Sequence, residues 1–98
     1  MRLRPTLEAT RAERYLRAGG PWDLANLDAL LARAPRRDGA LLVDGDRRLD
    51  RDEVDAAVAA LAGGLRAAGV DHGDVVAWQL PNGIDAVLLS RACWRLGA

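Results

Sequence analysis

The sequence predicts an α/β chain: a β-hairpin, one buried strand of the parallel type, and flanking helices, in a domain that is incomplete. Three observations carry this. Two short apolar runs flank Asp44-Gly45-Asp46, which is hairpin chemistry. The segment from Asp50 to Gly69 has apolar residues at helical spacing between a start signal and a stop signal. The run Val75-Val76-Ala77-Trp78-Gln79-Leu80 has few polar residues and no alternation, the pattern of a strand covered on both faces. A parallel partner for that strand must lie beyond a crossover helix, yet the helix expected after Asn82 runs to Ala98. The expectation is a chain that stops halfway through a βαβ unit.

The elements follow in order. Residues 1–22 read as an N-terminal surface arm with a weak helical pattern through Leu7, Ala12, Tyr15 and Leu16. Gly19-Gly20-Pro21 closes that pattern, and Tyr15 and Trp22 are candidate anchors. Residues 23–98 read as one unit. Asp23 can cap a helix carrying Leu24, Leu27, Leu30, Leu31 and Ala34, a stripe that faces a core, and Pro35 ends it. In the hairpin, a loop centred on Gly45-Asp46 sets Leu42 opposite Leu49 and Asp44 opposite Arg47. Centring it on Asp44-Gly45 would set Leu42 against Arg47, so cross-strand pairing favours the first register.

Asp50 and Glu53 form a capping box of the Asp-x-x-Glu type. The helix they open buries Val54, Val58, Leu61, Leu65 and Ala68. Gly63 and Gly64 interrupt it, each costing about 1 kcal/mol relative to alanine, which calls for a neighbouring element that approaches closely. Gly69 stands where a left-handed C-cap belongs, with Val70 touching the last turn. Asp71-His72-Gly73-Asp74 is the turn into the strand. Beyond Leu80, Pro81 blocks backward extension, Asn82 can cap the last helix, and Asp85 suits its positive end. That helix is apolar almost all round from Ile84 to Leu96, with Arg91 and Arg95 as a narrow polar edge, so it expects cover on more than one side. An exposed apolar patch is expected beside Val75 to Leu80 and along Ile84 to Trp94, with self-association through it.

Composition removes several functions. Fourteen basic and fourteen acidic residues cancel over 98 residues, so no net field favours nucleic acid or an anionic membrane. Every basic residue is arginine, and without lysine there is no phosphate-loop lysine and no Schiff-base lysine. Arg36, Arg37, Arg47 and Arg48 are interleaved with Asp38, Asp44, Asp46 and Asp50, which makes a solvated, charge-balanced rim a better reading than an anion site. Neither a signal peptide nor a membrane span is recognisable, and one cysteine excludes an internal disulfide, so a cytoplasmic chain is expected. His72 sits in a polar turn, Ser90 lies mid-helix without a nucleophile elbow, and Cys93 fits a core position. No residue is assigned a catalytic, cofactor-binding or metal-binding role.

Residues 40–49 (Ala-Leu-Leu-Val-Asp-Gly-Asp-Arg-Arg-Leu), the capped Asp50-Arg51-Asp52-Glu53-Val54, and Leu61 to Val70 stand in a telling order. Gly73-Asp74-Val75-Val76-Ala77, Leu80-Pro81-Asn82 and Arg95-Leu96-Gly97-Ala98 follow. Read whole, they resemble the start of the adenylate-forming acyl-CoA synthetase family, the AMP-dependent synthetases and ligases. Tyr15 to Trp22 resembles the strap before this domain in some aryl and alicyclic acid ligases. Two departures stand out: Thr-Tyr is usual where Asp50 and Arg51 stand, and Pro is common where His72 stands, but both changes keep the capping and turn chemistry.

The resemblance implies that residues 23–98 are a truncated N-terminal subdomain of such a ligase. Members of that family turn an acid and ATP into an acyl-adenylate and pass the acyl group to a thiol such as coenzyme A. ATP, Mg and coenzyme A are thus implied for a full-length parent and none for this chain, because the Ser/Thr/Gly-rich phosphate loop and the catalytic lysine have no counterpart here. The expected role is scaffold only, inactive alone. The alternative is a small interaction module that docks on a partner such as the remainder of a split ligase.

Overall fold

The computed structural model describes residues 8–20 and 26–98. It contains α1 (Ala9–Leu16), α2 (Leu27–Ala32), β1 (Ala40–Asp44), β2 (Arg47–Asp50), α3 (Arg51–Ala67) and α4 (Ile84–Leu96). The architecture is mixed α/β, a two-stranded antiparallel hairpin packed with helices. Within residues 8–20, α1 buries no residue and Tyr15 is half-buried. Leu7, Trp22, the Asp23 cap and Leu24 lie outside the described residues.

The hairpin takes the register centred on Gly45-Asp46, pairing Leu42 with Leu49, Val43 with Arg48 and Asp44 with Arg47. Gly45 has φ +58° and Asp46 has no positive φ, which fits a type II′ turn with glycine first. The twist of that turn matches the twist of the strands. Leu42 and Leu49 consequently share one face and pack against the helical core.

The β2 strand runs straight into α3 through the expected capping box. The Asp50 carboxylate accepts from the Glu53 N–H at 2.8 Å, and the Glu53 carboxylate accepts from the Asp50 N–H at 3.2 Å. At the other end Gly69, at φ +103°, lets the Val70 N–H reach the Leu65 carbonyl and its own N–H reach Arg66, both at 3.0 Å. These two bonds complete a Schellman motif. Val54, Val58 and Ala62 of α3 meet Ile84, Leu88 and Ala92 of α4, with Leu61 and Leu65 half-buried beside them. Val54 and Val58 are fully covered, each stabilising the fold by about 1.5–3 kcal/mol. Ala68 is the C-cap and is exposed, so the buried stripe ends one turn earlier than its spacing suggests.

Five expectations are corrected. First, a Cβ added at Gly63 or Gly64 meets nothing within 4 Å, so no element approaches them closely. Second, Asn82 forms no cap: Gly83 is the N-cap of α4, and the Asp44 carboxylate at the end of β1 accepts from the Ile84 N–H at 3.4 Å. The hairpin lies over the first turn of α4, so a carboxylate from another element reaches the orphan donor. Third, α2 is capped by Asn26, whose Oδ1 accepts from the Ala29 N–H at 3.0 Å, but Leu27, Leu30 and Leu31 are exposed and form no core stripe. The helix is turned by Asp28, which points inward instead.

Fourth, residues 75–80 form no strand among the described residues, and Val75, Trp78 and Leu80 are exposed. An apolar run records a preference for burial, whereas a strand exists only beside a ladder partner, and β1 and β2 engage each other. Fifth, the patch expected along α4 is mostly covered. Ile84, Leu88, Ala92 and Cys93 are buried, Leu89 and Trp94 are half-buried, and Val87 alone of the large apolar residues is exposed, because α3, α2 and β1 all lie against this helix.

Candidate functional site

Three features could serve a function. The first is apolar. Turn 71–74 fixes the start of the unpaired segment: the Asp74 N–H donates to the Asp71 carbonyl at 3.1 Å, the Asp71 N–H to an Asp74 carboxylate oxygen at 2.8 Å, and the Gly73 N–H to the Gly97 carbonyl at 2.9 Å. From there Val75, Trp78 and Leu80 stay 46%, 42% and 45% exposed. The segment ends at a shallow hollow of about 250 Å3 between the hairpin and the first turn of α4, lined by Leu42, Val43, Asp44, Gly83, Ile84 and Val87 together with Asn82. Leu41 and Val43 of β1 are exposed as well. Exposed aliphatic and indole surface is what a second protein surface covers, and it offers no group for acid/base or nucleophilic chemistry.

The second feature is a charged hollow of about 180 Å3 lined by Arg36, Arg37, Asp38, Gly39, Asp50, Arg51 and Asp52. Its lining carries three arginines and three aspartates. Arg36 forms an ion pair with Asp52, which holds its guanidinium above the ordinary arginine value through that hydrogen bond and the carboxylate charge. Arg51 donates to Asp55 at 3.4 Å and to the carbonyls of Leu31, Ala32 and Ala34 at 3.2, 3.4 and 3.2 Å. On the hairpin, Arg47 pairs with Asp85 at 2.8 Å. The exposed pairs at Arg36 and Arg47 are those of a solvated, balanced rim.

The third feature was not legible in the sequence. Arg91, read as part of a polar edge of α4, is only 6% exposed. Its guanidinium meets Asp28 of α2 at 3.2 Å and Asp55 of α3 at 3.4 Å, while its Nε has no partner among the described residues. Arg95, one turn on, donates through Nε to the same Asp28 at 2.9 Å. An arginine inside an otherwise apolar helix was the one available signal, since a buried guanidinium requires a carboxylate. Nothing in the sequence says which of fourteen acidic residues supplies it.

The remaining polar candidates are separate. His72 is exposed, its N–H donating to the Asp71 carboxylate at 2.8 Å and its ring lying over Gly97. Ser90 Oγ donates to the Ala86 carbonyl at 2.8 Å, inside α4. Cys93 is a buried free thiol whose pKa burial pushes up. No hydrogen bond among the described residues joins any two of these three. Among the same residues, no group of three His, Cys, Asp or Glu is arranged to hold a metal ion, and no helix is long and apolar enough to cross a membrane.

Comparison with known proteins supplies what this geometry alone does not. The family model described as AMP-binding enzyme matches residues 29–98, which takes in α2, the hairpin, α3 and α4. Pyochelin synthase PchD of Pseudomonas aeruginosa strain PAO1 is 42% identical over 96 residues, covering 95% of this chain and 17% of its own length. The 2-hydroxy-7-methoxy-5-methyl-1-naphthoate-CoA ligase of Streptomyces carzinostaticus is 38% identical over 89 residues, 89% of this chain and 16% of the ligase. The 4-coumarate-CoA ligase 5 of Oryza sativa subsp. japonica is 42% identical over 67 residues, 66% of this chain and 12% of the relative. No solved structure matches the chain significantly. The chain therefore spans about a sixth of the length of the first two of these relatives. With the hairpin register, the capping box and the α3–α4 core all lying inside the matched region, this chain belongs to the AMP-binding enzyme family.

Proposed function

We propose that residues 29–98 act as the scaffold of an ATP-dependent, acyl-adenylate-forming acid:CoA ligase and do not themselves carry the reaction. The observation that carries this reading is the exposed Val75, Trp78 and Leu80 segment inside the family-matched region, a surface suited to being covered by further ligase structure. The absence of lysine from the sequence also supports it. ATP, Mg and coenzyme A belong, on this reading, to the longer ligase. The triphosphate does not fit the charged hollow, whose lining balances Arg36, Arg37 and Arg51 with Asp38, Asp50 and Asp52 and leaves no positive excess for an anion. Two of the relatives are named for CoA ligation of aromatic acids, so an aryl acid is the substrate class proposed for that ligase.

The test is nucleotide binding and exchange. ATP with Mg should leave the melting temperature of the 98-residue chain unchanged, and the chain alone should catalyse no acid-dependent exchange of pyrophosphate into ATP. Replacing the aligned part of PchD with this chain should preserve that exchange. A saturable ATP shift in the isolated chain would overturn the scaffold reading, as would a folded chimera without activity beside active PchD.

A second reading, favoured by the same exposed segment, is an interaction module that docks on a separate partner such as the remainder of a split ligase. Capture of that separately expressed remainder, with no exchange activity in the complex, would select it.

A further inference from the structure

We propose that α2 is an ion-latched strap: its attachment to α4 depends on the carboxylate of Asp28, so removing that one charge frees residues 26–34 while the hairpin and the α3–α4 core stay folded. No residue of α2 belongs to the core cluster or to the apolar residues packed on it, and Leu27, Leu30 and Leu31 are exposed. What faces inward is Asp28, which bridges Arg91 at 3.2 Å and Arg95 at 2.9 Å. The far end of α2 is held by a charge too, where Arg51 of α3 donates to the carbonyls of Leu31, Ala32 and Ala34. A cation suits the negative end of a helix, as the Asp28 carboxylate suits the first turn.

The latch is unequal in its consequences. The Arg91 guanidinium retains Asp55 when Asp28 is neutralised, so the interior of α3 and α4 keeps a counter-charge. The six residues of α2 then keep the Arg51 bonds at their C-terminal end and no buried apolar side chain, and a helix that short does not persist in water on one end contact. Opening is therefore local. Release uncovers the Arg91 guanidinium, which α2 otherwise helps to cover.

The test is NMR on the full chain and three variants: Asp28→Asn, Arg95→Gln and Leu30→Gln. In D28N, residues 27–32 should lose their helical Cα shifts and 26–34 should gain fast backbone motion, while 54–62 and 88–92 keep their shifts. R95Q should move the same way by a smaller amount. Its side chain lies partly in solvent and outside the core cluster, so this variant reports even where D28N fails to fold. L30Q, which removes exposed apolar surface at little change in helix propensity, should leave α2 in place. Retention of the α2 shifts in both charge variants would overturn the proposal. So would release of α2 by L30Q, or loss of α2, α3 and α4 together in R95Q.

Discussion

Gly63 and Gly64 lie on the exposed face of α3, in ordinary helical backbone, with open space where a side chain would go. Their cost is therefore conformational and nothing in the packing offsets it. Replacing either with alanine should stabilise the chain by about 0.5–1 kcal/mol, seen as a higher urea midpoint at unchanged slope. Gly69→Ala should do the reverse, since φ +103° strains any residue with a Cβ. A drop in midpoint for Gly63→Ala would mean that the solvent face of α3 is covered. Asp50 and Glu53 show the residue scale at its most legible: the partners stand three apart, so their reciprocal bonds are written within one turn.

Between elements, the start of α4 depends on a residue 40 positions earlier, because Asp44 at the hairpin's end accepts from Ile84 N–H. Asp44→Ala should cost about 1 kcal/mol, the usual value of a lost cap. Asp85→Ala, which removes the exposed pair with Arg47, should change stability by no more than about 0.5 kcal/mol. Urea titration of both variants checks the contrast, and equal effects would mean that the carboxylate of Asp44 is not a cap. The hairpin itself was legible down to its register, since Leu42 against Leu49 follows from the loop and the pairing rule. The orientation of α2 was not, because its leucines repeat at a helical period whether they face a core or solvent.

For the molecule as a whole, Val75, Trp78 and Leu80 present exposed apolar surface. The chain should self-associate as concentration rises and bind a hydrophobic dye such as ANS. Trp78→Gln should reduce both without lowering the urea midpoint, because the indole is 42% exposed and lies outside the core cluster. Sedimentation velocity of the two proteins provides the check. Association undiminished in the variant would place the sticky surface elsewhere, for instance at Leu41 and Val43 of β1.

The sequence by itself determined whatever is encoded within a few residues: the capping box, the Gly69 stop, the hairpin loop and the helical period of α3. Each rests on hydrogen bonds or side chains three or four positions apart, and that distance is visible in one dimension. Membership of the AMP-binding enzyme family was also legible, in the order of the short segments between Ala40 and Ala98. Only the tertiary structure decided that residues 75–80 form no strand among the described residues, that Asp44 caps α4, and that Asp28, 63 residues away, shares its charge with Arg91. Those outcomes depend on which elements come to lie side by side, and the path of the chain between them is set by burying Val54, Val58, Ile84 and Leu88 together.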